Sequence, residues 1–315
     1  MQAPLAGLHH VTAVATDAQR NVDFYAGLLG LRLIKRTVNF DDPSAHHLYY
    51  GDEMGSPGSV VTFFCWPGAR RGRVGPGQAT AIVLSAPAGS LGYWRERLGR
   101  HHVASIPGGR FGEETLALAD PDGIPMELVA VERDPRRGWT GAGIPAEHAL
   151  RGMHAAELTV RDPGPTEELL AGLMGCALVR RDGDRARFQS DPGGPGRFVD
   201  VVGHSPEPRG TDGAGTIHHL AYRVPGDRDQ LVMKERLAEA GHLVSDVRDR
   251  DYFRSIYYRE PGGVLFEIAT DGPGFTIDEK PESLGSALKL PKRFEPARAR
   301  IEQALPPVHP AGSYS

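Results

Sequence analysis

The chain has 315 residues, enough for two domains of ordinary size and a substantial buried core. Lys and Arg (36) nearly balance Asp and Glu (40), leaving a net charge of −4, and no basic run is long enough to track a phosphate backbone, so nucleic acid is not an expected partner. The longest apolar stretches fall far below the roughly 20 residues of a bilayer crossing, and the N-terminus lacks a charged region followed by an apolar core, so no membrane partner and a cytoplasmic location are expected. Cys65 and Cys176 are too few and too far apart for a disulfide framework or a metal knuckle and read as packed thiols.

In chain order, residues 8–15 predict a strand. Asp17 then caps a helix with Val22, Tyr25, Leu28 and Leu29 on one face and Gly30 as its left-handed stop. Alternating segments follow, and Pro57-Gly58 turns the chain into a last strand over 60–64. The same order recurs three times. First strands are predicted at 80–86, 153–160 and 217–224, amphipathic helices end before Gly99, Gly175 and Gly241, and Pro/Gly turns at Pro121, Pro195 and Pro261 each lead into a last strand. Four βαβββ modules therefore account for residues 8–270, an α+β chain. The predicted organisation is an N-terminal domain of two modules (1–135), a linker (136–150), a C-terminal domain of two modules (151–272) and a tail (273–315). In that tail a short helix is expected over 296–305, with frayed residues at 306–315.

Thirteen histidines include four adjacent pairs. His101-His102 follow a helix stop and read as loop residues, while one of His46-His47 is placed to line a cleft. His9-His10 and His218-His219 differ, because both occupy the same place in the first strand of their modules. Since successive strand residues point to opposite faces, one histidine of each pair should face a cleft while its neighbour points behind the sheet or reaches the rim. The repeat pairs His10 with His219, and Glu267 on the last strand of module four adds a carboxylate. Two histidines and one carboxylate form the facial triad of non-haem Fe(II) sites, with open positions opposite the ligands. Six residues beyond the turn proline stand Glu267 in module four, Glu127 in module two and Phe63 in module one, so module one is expected to bring a histidine but no fourth ligand. Three ligands leave room for a substrate oxygen and dioxygen. A second constellation of His154, Glu127 and Asp200 lacks a histidine in module two, with Asp200 one residue out of register; no second metal is expected.

The segments LHHVTAVATDAQRNVDFYAGLLGLRLIKRTVNFDD, HHLYYGDEMGSPGSVVTFF, RFGEETLALADPDGIPMEL, IHHLAYRVPGD and RDYFRSIYYREPGGVLFEIATDGPGF, with DEKPESLGSALKLP in the tail, give a likeness that runs nearly end to end. They resemble the vicinal oxygen chelate superfamily and, within it, the ring-cleaving dioxygenases of hydroquinones. The resemblance implies Fe(II), with Mn(II) as the alternative, held by His10, His219 and Glu267, with modules one and four sharing the metal-bearing sheet. It also implies that His9 and His218 stand beside the ligands and that Tyr257 and Arg250 belong to the substrate pocket, with Arg259, Asp251, His47 and Thr12 as weaker candidates. Extradiol-type cleavage needs a base for a phenolic proton, donors for developing negative charge and an acid for the leaving oxygen.

The expected function is thus a dioxygenase that opens a hydroquinone next to a hydroxyl, with a small aromatic diol and O2 as partners and homo-oligomerisation left open. The rival readings are a catechol extradiol dioxygenase, a glyoxalase-like metal isomerase and a metal-free protein that binds small aromatics. The fold alone separates none of them.

Overall fold

A computed structural model describes residues 5–312. Module one comprises β1 (Leu8–Ala15), α1 (Ala18–Val22), β2 (Arg32–Val38), β3 (His46–Gly51) and β4 (Val60–Cys65). Module two comprises β5 (Gln78–Pro87), α2 (Leu91–Arg100), β6 (Ser105–Arg110), β7 (Glu113–Ala119) and β8 (Pro125–Val131). Module three follows with β9 (Met153–Thr159), α3 (Pro163–Ala171), β10 (Ala177–Asp182), β11 (Arg185–Gln189) and β12 (Phe198–Val202). Module four holds β13 (Thr216–Val224), α4 (Asp227–Glu239), β14 (Arg248–Asp249), β15 (Phe253–Arg259) and β16 (Leu265–Pro273). Among the described residues no helix is long and apolar enough to cross a membrane.

The predicted start signals act as their chemistry dictates. The Asp17 side chain accepts from the Arg20 amide at the head of α1, and Asp162 caps α3 with Pro163 in its first turn. Beyond α1 the chain continues as a π-helical turn, Asp23–Leu28, before Gly30 takes φ +69°. One stop is displaced: Gly99 lies inside α2, and His102, at φ 59°, takes the left-handed position while the Val103 amide closes the turn onto the Leu98 carbonyl. Both cysteines are buried, and burial pushes the Cys176 thiol up to about 12.

Two eight-stranded sheets result, in the orders β14-β15-β16-β13-β1-β4-β3-β2 and β10-β11-β12-β9-β5-β8-β7-β6. Modules one and four, from opposite ends of the chain, share the first sheet, and modules two and three share the second. In each, the two first strands pair antiparallel at the centre, β1 with β13 and β5 with β9. The sheets thus cut across the boundary drawn at 136–150. That segment is itself tied down, since Arg136 donates to Asp134 and to the Gly58 and Met153 carbonyls, while Ile144, Ala149 and Leu150 are buried. One apolar core runs through both halves, including Val11, Phe63, Leu84, Met126, Leu158 and Leu220.

The tail covers module one. Lys35 on β2 is fully buried and its ammonium group donates to Asp278 (2.6 Å), Glu279 (2.5 Å) and the Phe275 carbonyl (3.1 Å). Phe275 and Leu284 pack with Ile34, Tyr49, Tyr252 and Phe253, filling one end of the concave face of the first sheet. Leu288 pairs with Arg36 along the open edge of β2, which shields that edge. The expected helix is α5 (Arg298–Ala304). Fraying at 306–315 is not observed up to residue 312: Val308 joins the main core and the His309 amide donates to Gln19 at 2.7 Å. Residues 313–315 lie outside the described residues.

Candidate metal centre

At the seam of modules one and four, β1 brings His10, β13 brings His219 and β16 brings Glu267. Register places Thr12 opposite His219, His10 opposite Ala221, and Ala221 beside Glu267. The His10 and His219 Nε2 atoms stand 3.2 Å apart, and Glu267 Oε2 lies 3.5 Å from the first and 2.9 Å from the second. Ligand atoms about 2.1 Å from a shared ion and at right angles to one another stand ~3 Å apart. All three separations fall near that value, so the triad is mutually cis and leaves the opposite face free.

Among the described residues this is the one group of three or more such side chains close enough to hold an ion. Its members are buried, and Glu267 Oε2 has no hydrogen-bond partner, whereas Ser255 donates to Oε1 at 2.5 Å. Burial opposes ionisation of Glu267, but His10 and His219 beside it outweigh that and hold its carboxyl well below the usual range. A buried carboxylate with one bare oxygen aimed at two imidazoles fits a divalent cation.

The neighbouring histidines do not simply alternate away from the ligands. The β1–β13 ladder slips between Leu8 and His10 and again between Thr12 and Ala13, whose partners step from His219 to Ile217. These bulges free His9 and His218 from strict alternation. Each then turns its Nδ1 to the Nδ1 of the adjacent ligand, at 2.8 Å in both cases. An imidazole that offers Nε2 to a cation carries its proton on Nδ1, so with an ion held by the triad His10 would donate to His9 and His219 to His218. His9 and His218 are thus placed to fix ring orientation and tautomer from behind. Burial, with the adjacent ligand histidine, lowers His9 to about 3 and His218 to about 4.

A cavity of about 290 Å³ opens on the triad. Phe40, Phe64, Trp66 and Phe253 give it flat apolar walls, and His218, Tyr257 and Arg250 face it as well. His9 does not; it lines a separate cleft beyond Phe253. Tyr257 pairs with Glu267 across β15 and β16, and its hydroxyl accepts from Arg250 Nε at 3.2 Å, leaving its own proton available. Burial first, then Glu267, raises the Tyr257 phenol above its ordinary value, so it stays neutral. Arg250 also reaches Asp41 at the rim, 3.3 Å away. His47 and Thr12 line the cavity, whereas Arg259 is exposed and donates to the Gly263 carbonyl, and Asp251 adopts φ 61° in the turn before β15. A larger cleft of about 650 Å³ shares no lining residue with this cavity.

One register reading is corrected. The residue of module one that corresponds to Glu267 is Thr62, not Phe63, because Thr12 pairs with Thr62 as Ala221 pairs with Glu267. The Pro261-Gly262-Gly263 turn is one residue longer than its counterpart at Pro57-Gly58, so counting from proline overshoots. Phe63 faces the core against Tyr25, and Thr62 bonds to Thr12 (3.0 Å) and His47 (2.8 Å). The fourth position is still without a carboxylate. In the second sheet, arginines engage the acids: Asp200 accepts from Arg187 and Arg110, Glu127 pairs with Arg110, and His154 lies 3.0 Å from Glu113. Sequence reasoning did not single out Ser255, whose place opposite Ala269 beside Glu267 only the β15–β16 pairing reveals.

Residues 7–128 match the family model described as Glyoxalase/Bleomycin resistance protein/Dioxygenase superfamily. A Bacillus subtilis protein named as a ring-cleaving dioxygenase, MhqO, is 44% identical over 301 residues, covering 96% of each chain. A Sphingobium indicum protein named chlorohydroquinone/hydroquinone 1,2-dioxygenase is 36% identical over 315 residues, covering 97% of this chain and 98% of its own. A crystal structure from Bacillus subtilis, titled as a dioxygenase, superposes with a TM-score of 0.94 at 43% identity over 98% of this chain and 99% of that one. Glyoxalase I of Zea mays shares the fold at a TM-score of 0.62 and 13% identity, over 84% and 92% of the two chains. The chain therefore belongs to the glyoxalase/bleomycin resistance/dioxygenase superfamily, in which its near-full-length relatives carry the names of ring-cleaving dioxygenases.

Proposed function

We propose that this protein is an Fe(II)-dependent, extradiol-type dioxygenase that opens a hydroquinone, bare or substituted, next to a hydroxyl with O2. The observation that carries the reading is the facial triad of His10, His219 and Glu267 with its bare carboxylate oxygen at the floor of an aromatic-walled cavity. The relative named for hydroquinone 1,2-dioxygenase activity supports the para-diol class.

Bound Fe(II) supplies the redox chemistry that lets a spin-paired aromatic react with O2. The chain's own residues do the rest. His10, His219 and Glu267 hold the ion on one face, while His9 and His218 keep both imidazoles in the ligating tautomer. Phe40, Phe64, Trp66 and Phe253 receive the flat ring and exclude water. Tyr257, neutral and pinned by Arg250, and His218, whose Nε2 carries its proton, donate toward negative charge that develops on substrate oxygens. Thr62, in place of a fourth ligand and already bonded to Thr12 and His47, speaks against a saturated isomerase-type site.

Labelling with ¹⁸O2 tests the reaction type. Both atoms of one O2 are expected in the ring-opened product, its aldehyde trapped before exchange with water. Unlabelled quinone with hydrogen peroxide would show simple oxidation and overturn the reading.

A further inference from the structure

Asn39 lies one residue beyond β2, and strand pairing fixes where its side chain points. Thr37 stands directly opposite His47, and the Asn39 amide still donates to the Ala45 carbonyl at 2.9 Å, so the ladder runs on past Val38. Opposite residues share a face, and residues two apart return to it. Asn39 therefore sits on the concave face with His47 and Tyr49. It is only 7% exposed and lines the cavity with them.

Its carboxamide has one settled orientation. Oδ1 accepts from the Asp41 amide at 2.8 Å and from the Asp42 amide at 3.2 Å, an Asx turn. Turned over, the NH2 group would meet two N–H donors, so Nδ2 is the outward atom. Among the described residues Nδ2 has no hydrogen-bond partner, yet it is not sealed off from open space. A donor without an acceptor in a buried residue is costly, and the cavity that Asn39 lines is where an acceptor can enter. The loop behind it is held, since the Phe40 carbonyl accepts from Arg293 and Trp66 Nε1 donates to Asp42 at 3.1 Å. The donor thus needs little ordering when a ligand arrives.

The wall that carries Asn39 decides which oxygen it can meet. β4 and β3 stand between β1 and β2, about 14 Å of sheet at the usual strand spacing, so Asn39 lines the cavity from a wall remote from the triad. A diol held at the triad through one oxygen carries the second at the far end of the ring axis when para, and beside the first when ortho. We infer that Asn39 is a specificity-determining residue whose Nδ2 donates to the distal oxygen of a para-diol. The inference rests on the proposed function and adds to it the means by which hydroquinone is told from catechol.

Two measurements on the full chain test this. The first is anaerobic binding of hydroquinone, catechol and phenol to the Fe(II)-loaded protein, wild type and Asn39→Ser; serine still offers an oxygen to the loop amides but has no outward N–H. The variant should bind hydroquinone roughly five- to tenfold more weakly, the size of one lost hydrogen bond, with phenol and catechol held as before. The second needs no variant beyond assignment: in protein loaded with Zn(II) as a diamagnetic occupant, one proton of the Asn39 side-chain amide should move downfield in the ¹H–¹⁵N spectrum on adding hydroquinone, and not on adding phenol or catechol. An unchanged preference for hydroquinone over phenol in Asn39→Ser, equal losses for all three ligands, or an amide indifferent to hydroquinone would overturn the role of Asn39 alone. Failure of hydroquinone to bind the metal-loaded wild type would instead overturn the ligand assignment together with the proposed function.

Discussion

Glu267 has one oxygen engaged by Ser255 and one bare, and that division of labour suits a metal ligand better than half of an ordinary ion pair. Glu267→Gln keeps the shape but loses the charge, so bound Fe(II) per chain should fall to a small fraction of the wild-type value, read by metal analysis after desalting. His9→Ala and His218→Ala should each weaken metal binding by about 10–100-fold, because the ligand behind which each stands loses the partner that fixes its tautomer; competition with a chelator gives the number, and unchanged affinity would remove them from that role. Tyr257→Phe should retain metal and lower turnover by roughly 10²-fold, as befits a lost proton donor. The triad was legible because the same histidine recurs at one place in two modules and a carboxylate follows at the matching strand. Thr62 was not: a one-residue difference between two proline turns shifts the count, and only the ladder reveals it. Ser255 and the partners of His47 were hidden for the same reason, being defined across strands rather than along them.

Among elements, the first strands show why pattern reading of a histidine pair falls short. Alternation predicts that one of two neighbours points behind the sheet or reaches the rim, and bulges at His9 and His218 let each stand behind its neighbour. Nothing in the residues around His9 announces a bulge; it arises where two antiparallel first strands must also pair in parallel with β4 and β16. Two of the turns before last strands are stapled by buried carboxylates. Asp120 accepts from the Asp122 and Ile124 amides and from the Tyr25 hydroxyl, and Glu260 plays the same part before β16. Burial, with Asp122 adding to it, raises Asp120 to about 6 from an ordinary value of 3.8. The folded state thus holds this proton more tightly than the unfolded chain. Its contribution to stability is complete below pH 3.8 and is lost as pH rises through about 6. Urea midpoints of Asp120→Asn minus those of the wild type should therefore climb in the variant's favour from pH 4 to about 6 and then level; a flat difference would refute the assignment.

For the whole molecule, pairing of modules one and four assembles the candidate site, because neither module alone holds all three of its side chains. Four modules were legible from helix periodicity and proline-glycine turns, whereas sheet partnership was legible only through resemblance, since contacts between residues some 200 positions apart leave no local pattern. The tail completes the arrangement by closing the end of the concave face nearest Phe275. Its anchor is Lys35, and Lys35→Met would strand the buried Glu279 carboxylate. That should cost about 3–5 kcal/mol in urea unfolding, in the range found when one partner of a buried pair is removed. In the second sheet Arg110 and Arg187 sit among acids at the places matching the first site, which leaves one candidate centre among the described residues. The most direct test of that centre is O2 consumption by protein loaded anaerobically with one Fe(II) per chain, with hydroquinone and catechol supplied in parallel. One O2 consumed per hydroquinone, faster than with catechol and abolished in Glu267→Gln, is the predicted result; no uptake with either diol while Fe(II) stays bound would contradict it.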